Sequence, residues 1–453
     1  MNRLKLFAVI LLTAIAIWAI VQTELAPTIK FIASIAILAF AGEIISRIAN
    51  LHSDWGMILL RTQKGIDIAK ELAKREKFWN LFADFGLALA YGILSFFVIK
   101  RSVKERLGLI FSALITITIL LVFVSPTILP FLSYTLGMPI GGGRAAHMEG
   151  SGDQIYSFAI LGMVYLGGFA AFITLSLLMY AFIVVSAVAS TLIWGTTAIA
   201  DTAPGLTLIL PGINIPLFEG LLALIIILLV HEGSHAILSV IGKIPILSSG
   251  VAFFGIIPIG AFVEPDEKRL ATKSNEVQKR VVVAGSAANL VTSIFFFLLL
   301  LAFLGTTDSF KEKGWYVLSG MDNGTIIYEI NGIPVENLSE NYTAPNTTIN
   351  LTTNHGLVER TANETGGYDI SYIPMDYAPF TQYENPILSF IFKTLVLVFA
   401  LNFIIGVVNL LPLPFFDGMR LLELSVNNKR FTDFVMYLVL AAFLSNMLPW
   451  FFK

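Results

Sequence analysis

Long apolar runs separated by short polar connections dominate this chain. Runs of spanning length lie at 5–22, 28–48, 78–99, 107–133, 156–197, 216–240, 281–304, 386–410 and 431–452. A helix needs about 20 apolar residues to cross a hydrocarbon layer, so each run predicts at least one spanning helix. The run 156–197 is too long for one ordinary span, and Gly167-Gly168 is its one possible break. It reads as one long tilted helix or two joined ones, for nine or ten spans in all. The first run follows Arg3 and Lys5. No small-residue cleavage site stands out around Gln22–Ala26, so it reads as a retained helix rather than a leader.

Three stretches depart from this pattern. Residues 51–77 carry Arg61, Lys64, Lys70, Lys74, Arg75 and Lys77 with Ile66, Ile68, Leu72 and Ala73 between them, which predicts an amphipathic surface helix. Residues 244–264 are apolar, yet Gly and Pro punctuate them too often for a helix. They read as one or two re-entrant strands dipping into the membrane, with a free edge to which an unwound peptide could add as a further strand. Residues 305–385 are polar and turn-rich. Within them Gly324–Val335 predicts a strand, an Asn331-Gly332 turn and a second short strand, the start of a small β-containing domain between two spans.

Composition strengthens the membrane reading. Of 453 residues, 56% are hydrophobic and only 13% charged, whereas an ordinary soluble domain is about a quarter charged. The lipid bilayer is therefore the expected surrounding. A net charge of −2 leaves no basic face for phosphate, so neither a nucleic acid nor a nucleotide is an expected partner. With no cysteine, disulfides and thiolate metal sites are excluded.

Charge and sequons bear on orientation. The connections 241–280 and 411–430 are rich in Lys and Arg, whereas 198–215 has neither. The excess of Lys and Arg on the cytoplasmic side of membrane proteins puts the first two inside and the third outside. Residues 305–385 then lie outside the cytoplasm. Six N-x-S/T triplets, at Asn323, Asn337, Asn341, Asn346, Asn350 and Asn363, fall within 43 residues of that stretch and favour the same side. The orientation of the N-terminal half stays open, because 51–77 and Lys100–Arg106 are both basic and one span separates them.

The chemistry centres on His231-Glu232-Gly233-Ser234-His235. On a helix, His at i and i+4 project from one face and can hold one Zn²⁺, and Glu232 can take the proton of an attacking water. From this composition such a pattern arises by chance on the order of 0.002 times per chain. Three ionisable groups in an apolar span are costly and usually functional. Asn214 is a candidate cap for this helix, with Pro216 in its first turn. His231 then lies about 22 Å along the axis. If the helix starts at the outer face, the site sits nearer the cytoplasmic side.

Catalytic zinc takes three protein ligands and one open position. Asp417 is the leading candidate for the third, in Asn409–Gly418, where Pro412 and Pro414 end the preceding helix and leave an irregular segment at membrane depth. Glu264 and Glu219 are the alternatives. Ala284–Asn289 is a run of small residues that lets helices approach closely. Asn289 and Asn409 are candidates for binding substrate or a developing oxyanion, or equally for interhelical hydrogen bonds.

Together these residues resemble the site-2 protease family of intramembrane zinc metalloproteases. The family's H-E-x-x-H, G-P-x-x-N-like and N-x-x-P-x-P-x-x-D-G-like elements read here as His231–His235, Gly285–Asn289 and Asn409–Gly418, in the family's order. Pro211–Pro216 and Gly260–Glu264 look like its eukaryotic and archaeal branch, and Ile326–Val335 looks like part of the PDZ domain that many members carry. Ser286 stands where the family usually has Pro, and Met419 where another Gly is frequent.

The resemblance implies a polytopic α-helical membrane protein with a re-entrant β segment and a small extracytoplasmic PDZ-like domain. It divides into an N-terminal transmembrane region at 1–210, the first half of a protease core at 211–304, the insert at 305–385 and the second half of the core at 386–453. It implies Zn²⁺ held by His231, His235 and Asp417, Glu232 as catalytic base, and transmembrane proteins or peptides as substrates, in regulated intramembrane proteolysis at the cell membrane. The competing readings are a membrane zincin of the prenyl-peptide-processing kind, a metal transporter and a non-catalytic scaffold. A third ligand at Asp417 argues against the first, polar residues gathered at one depth against the second, and an intact Glu232 against the third.

Overall fold

A computed structural model describes residues 2–452, except 24–26, 52, 137–150, 206–208, 210, 213–214, 323–324, 338–346, 363–369 and 375–382. The first half runs α1 (Asn2–Val21), α2 (Pro27–Ala49), β1 (Ser53–Asp54), β2 (Met57–Arg61), α3 (Lys64–Ala73), α4 (Glu76–Tyr91), α5 (Ser95–Val98), α6 (Val103–Leu136), α7 (Ser151–Trp194) and α8 (Ala198–Asp201). Then follow α9 (Leu217–Ile241), β3 (Ile246–Phe254), β4 (Ile257–Pro265), α10 (Glu267–Ala271) and α11 (Asn275–Thr307). The insert holds β5 (Trp315–Ser319), β6 (Ile326–Ile330), β7 (Ile333–Pro334), β8 (Thr348–Thr353), β9 (Gly356–Thr361) and β10 (Ser371–Pro374). The chain closes with α12 (Pro386–Val408), α13 (Asp417–Ser425) and α14 (Lys429–Ser445).

Seven helical stretches among the described residues are long and apolar enough to cross a membrane, and α1 carries a shorter apolar stretch, Leu4–Ile20. Of the two readings open for 156–197, a broken helix is the one observed. Gly168, at φ 64 and ψ −162, kinks α7 into two helical parts. A Cβ there would also collide with the backbone of Ala90 in α4, so the kink doubles as a close crossing.

The helices that matter most begin where their sequences direct. Ser274 caps α11 by accepting from Val277 N–H. Asn385 caps α12 by accepting from Ile387 and Leu388 N–H, with Pro386 in the first turn. The N-cap of α9 is Pro216, while Asn214 lies outside the described residues. Buried Val283, Leu290, Ile227, Leu87, Val398 and Phe399 belong to one apolar core, in which α11 packs against α4, α9, α12 and α13. Asp84, 1% exposed on α4, bonds Arg280 of α11 at 2.8 Å through both oxygens and also pairs with Arg101.

The start of the predicted 51–77 helix departs from expectation. Ser53–Asp54 and Met57–Arg61 form strands, and the amphipathic helix is confined to Lys64–Ala73, burying Ile66, Ala69 and Ala73. β2 joins the 244–264 segment in a four-stranded antiparallel sheet of order β1-β2-β3-β4. Among the described residues the outer edge of β4 takes no strand partner.

The insert is a six-stranded antiparallel sheet, order β10-β5-β6-β8-β9 with β7 on β6. Its core is Val317, Ile327, Ile330, Val335, Ile349 and Leu351. The predicted hairpin is present. Asn331 and Gly332 both take positive φ, 51 and 78, the turn that matches strand twist, between paired β6 and β7. The insert leaves and re-enters the helices at one place, where Thr307 and Tyr383 hydroxyls bond at 2.7 Å.

Candidate metal centre

His231 and His235 face the same side of α9, one turn apart, with their Nε2 atoms 3.2 Å from each other. Asp417 is the first residue of α13. It reaches them because α12 stops at Val408, before Pro412 and Pro414, and the chain folds back so that Gly418 N–H donates to the Asn409 carbonyl at 2.7 Å. Asp417 Oδ2 then lies 3.6 Å from His231 Nε2 and 3.5 Å from His235 Nε2. One ligand atom from each of the three residues fits within a 4.8 Å cluster.

Helix α11 forms the floor of this cluster. Val281, Gly285 and Asn289 follow one another at single-turn spacing along one face. The Val281 carbonyl accepts from His235 Nδ1 at 2.8 Å. The Asn289 amide meets His231 Nδ1 at 3.1 Å. Between them Gly285 has no side chain, and a Cβ there would stand 2.5 Å from Nε2 of both imidazoles. The two rings lie on bare helix backbone, and their outer nitrogens turn toward Asp417.

These residues fit a metal ion on the structure's own terms. Asp417 Oδ2 is buried and finds no hydrogen-bond partner among the described residues, which is costly for a carboxylate oxygen. Two imidazole nitrogens and one carboxylate oxygen are a donor set that zinc accepts. The backbone bond at His235 Nδ1 is the support that ligating histidines ordinarily have.

Glu232 points from the same helix toward β4, where its Oε2 accepts the Val263 N–H at 3.1 Å. Neither alternative ligand joins the cluster. Glu264 is exposed and accepts from Ser248 Oγ at 2.6 Å. Glu219 sits in the first turn of α9, twelve residues before His231. Asn289 is fully buried. Asn409 is half-buried at the end of α12, its carbonyl taken by Gly418. Val281, Gly285 and Val263 were missed individually by sequence reasoning. The first and last act through the backbone, and only the small-residue run around Gly285 announced a close approach.

A model of Peptidase family M50 matches residues 219–447, about half of the chain, a stretch that includes the whole cluster. An uncharacterised protein of Methanocaldococcus jannaschii is 36% identical over 139 residues, which is 28% of this chain and 36% of that protein. The chain thus spans about a third of the length of this curated relative.

Proposed function

The chain belongs to peptidase family M50, the site-2 protease family of membrane metalloproteases, and on that premise we propose that it cleaves transmembrane segments of other proteins with a zinc ion inside the bilayer. The observation that carries the reading is the convergence of His231, His235 and Asp417 within one 4.8 Å cluster, on helices that belong to an apolar bundle. A zinc ion held there by His231, His235 and Asp417 would supply Lewis acidity toward a carbonyl oxygen and toward water. Glu232 takes the proton of the attacking water and delivers it to the nitrogen of the leaving amine. The Val263 N–H holds the Glu232 carboxylate in place for both transfers.

A peptide bond inside a helix is shielded from attack, so the substrate must unwind. The free edge of β4 is suited to receive it as an added strand. Two contacts support a position within the membrane for this sheet. A Cβ at Gly255, in the β3–β4 turn, would meet the Leu38 carbonyl at 2.5 Å, and one at Gly56 would meet Ala39. Leu38 and Ala39 lie midway along apolar α2.

The insert and the cluster lie toward opposite ends of α11. From Asn289 to Thr307 is about 27 Å of helix at 1.5 Å per residue. Sequons in the insert and basic connections at the other end favour an extracytoplasmic insert and a metal site near the cytoplasmic face, in a multi-pass protein of the cell membrane. The same reading keeps the insert PDZ-like and the protein's place in regulated intramembrane proteolysis.

The test is zinc content together with cleavage of a transmembrane peptide. The wild-type protein should hold one zinc and cleave, and Glu232→Gln should hold zinc and not cleave. Cleavage by Glu232→Gln at the wild-type rate would remove the assigned mechanism. A wild-type protein that takes up no zinc would remove the metal centre.

A further inference from the structure

We infer that Asn289 is a positioning residue, whose side-chain oxygen fixes the His231 ring with its hydrogen on Nδ1 and so reserves Nε2 for the metal. The inference rests on the metal centre proposed above and goes beyond it by assigning what selects the ligating atom.

The two histidines face one another through their Nε2 atoms at 3.2 Å, and each Nε2 also faces Asp417 Oδ2. For both to ligate, each must carry a free lone pair, which places the single hydrogen of a neutral imidazole on Nδ1. At His235 this is settled by the Val281 carbonyl at 2.8 Å, which can only accept. At His231 the neighbour of Nδ1 is the Asn289 amide at 3.1 Å. An amide can either donate or accept, and its two ends have the same shape. With the amide nitrogen toward the ring, His231 would carry its hydrogen on Nε2, aimed into the cluster, and could not ligate there. In that orientation Asn289 Oδ1 is also buried with no partner.

A half-turn of the amide removes both difficulties. The oxygen then accepts from His231 Nδ1–H, and Nε2 is free. The amide nitrogen turns to the other side of Asn289, where α12 packs. Gly406 of α12 lies against Asn289, its Cβ position 3.1 Å from that of Asn289. One turn earlier on α12 is Asn402, fully buried, whose Oδ1 is a second acceptor without a partner. Asn289 is also fully buried, which suits a group that supports a ligand better than one that meets substrate.

The test uses the full-length protein in detergent, with Zn²⁺ and Co²⁺ as probes. Asn289→Leu keeps the volume and removes the acceptor. It should lose about 10–100-fold in zinc affinity by chelator competition, the usual cost of losing such a support, and should alter the visible Co²⁺ spectrum. Asn289→Asp accepts and cannot donate, so it should stay within a few-fold of wild type. In zinc-loaded wild-type protein with ¹⁵N-labelled histidine, the protonated ring nitrogen of His231 should be Nδ1, a readout that needs no variant to fold. Unchanged zinc affinity and Co²⁺ spectrum in Asn289→Leu, or hydrogen on His231 Nε2, would overturn the inference. So would a folded Asn289→Asp as weak as Asn289→Leu. Failure of the wild-type protein to bind either metal would instead strike the proposed function.

Discussion

Gly285 lies so close beneath His235 that a Cβ built there would stand 2.5 Å from the imidazole Nε2, and the same distance from Nε2 of His231. Contacts under about 3 Å force something to move, and the helix carrying Gly285 is the central one of the bundle. The rings must therefore yield. Gly285→Ala is expected to keep the fold and weaken zinc at least tenfold, because both ligands are displaced together. Activity should fall by about 100-fold or more, the cost of a misplacement near 1 Å. Zinc retention during dialysis against a mild chelator, measured beside peptide cleavage, checks this. A variant with full zinc and full rate would show that the rings have room.

Asp417 completes the cluster from a different helix, and its Oδ2 makes no hydrogen bond among the described residues. Asp417→Ala should lose zinc under the same dialysis, since two histidines alone hold it poorly. Glu264→Ala should keep zinc, because Glu264 is occupied with Ser248. Zinc loss in the second variant and not in the first would move the third ligand to β4.

Much of this arrangement was legible in the sequence. The apolar runs marked the helices because membrane spans must be apolar along their whole length. Asn331-Gly332 marked its hairpin because both residues tolerate the positive φ that the turn demands. Pro412 and Pro414 marked the break that delivers Asp417. What stayed hidden depends on distant partners. Met57–Arg61 becomes a strand only because β3 pairs with it from far along the chain, and its local pattern with the basic residues after it resembled a helix. In the sequence Asp84 is simply the one charged residue of the run 78–99, because its partners Arg101 and Arg280 come from other stretches of the chain. The role of Val263 is carried by a backbone N–H, which every residue except proline possesses.

The Asp84 network predicts a stability defect without a catalytic signature. Asp84 is 1% exposed between Arg280 and Arg101, whose side chains are 14% and 20% exposed. Asp84→Ala leaves two half-buried guanidinium groups without their shared carboxylate. Removing one partner of a buried pair costs up to about 3–5 kcal/mol; Glu276 remains on Arg280 and Glu105 on Arg101, so the apparent melting temperature in detergent should fall by part of that penalty. Protein that remains folded should retain zinc, because none of the three residues touches the cluster. Unchanged melting would mean that water already solvates the pair.

The proposed orientation predicts which lysines are reachable. Lys313, exposed and paired with Glu336 in the insert, should react with an impermeant amine reagent applied to intact cells. Lys268 on α10 and Lys429 at the start of α14 should react only after permeabilisation. The opposite pattern would turn the protein over in the membrane and place the metal near the outer face.

Val263 offers a test of how the base is held. Val263 faces Ser249 across the β3–β4 ladder, and the Ser249 carbonyl points the other way, accepting from Thr62 N–H at 2.8 Å. Antiparallel pairs alternate between residues that bond each other and residues that bond outward, and this is an outward pair. The Val263 N–H therefore serves Glu232 and not the sheet. Val263→Pro deletes that one donor while leaving the ladder intact, and proline is tolerated at such an edge position. The sheet and the zinc should survive. A hydrogen bond to a charged group contributes about 1.5–3 kcal/mol, so the loss of alignment should lower kcat by about 10–100-fold at unchanged zinc content. If the same amide also pairs with substrate, KM should rise as well. A Val263→Ala control, which keeps the N–H, should stay near the wild-type kcat. Equal losses in the two variants would assign the effect to the missing side chain and release the backbone from this role.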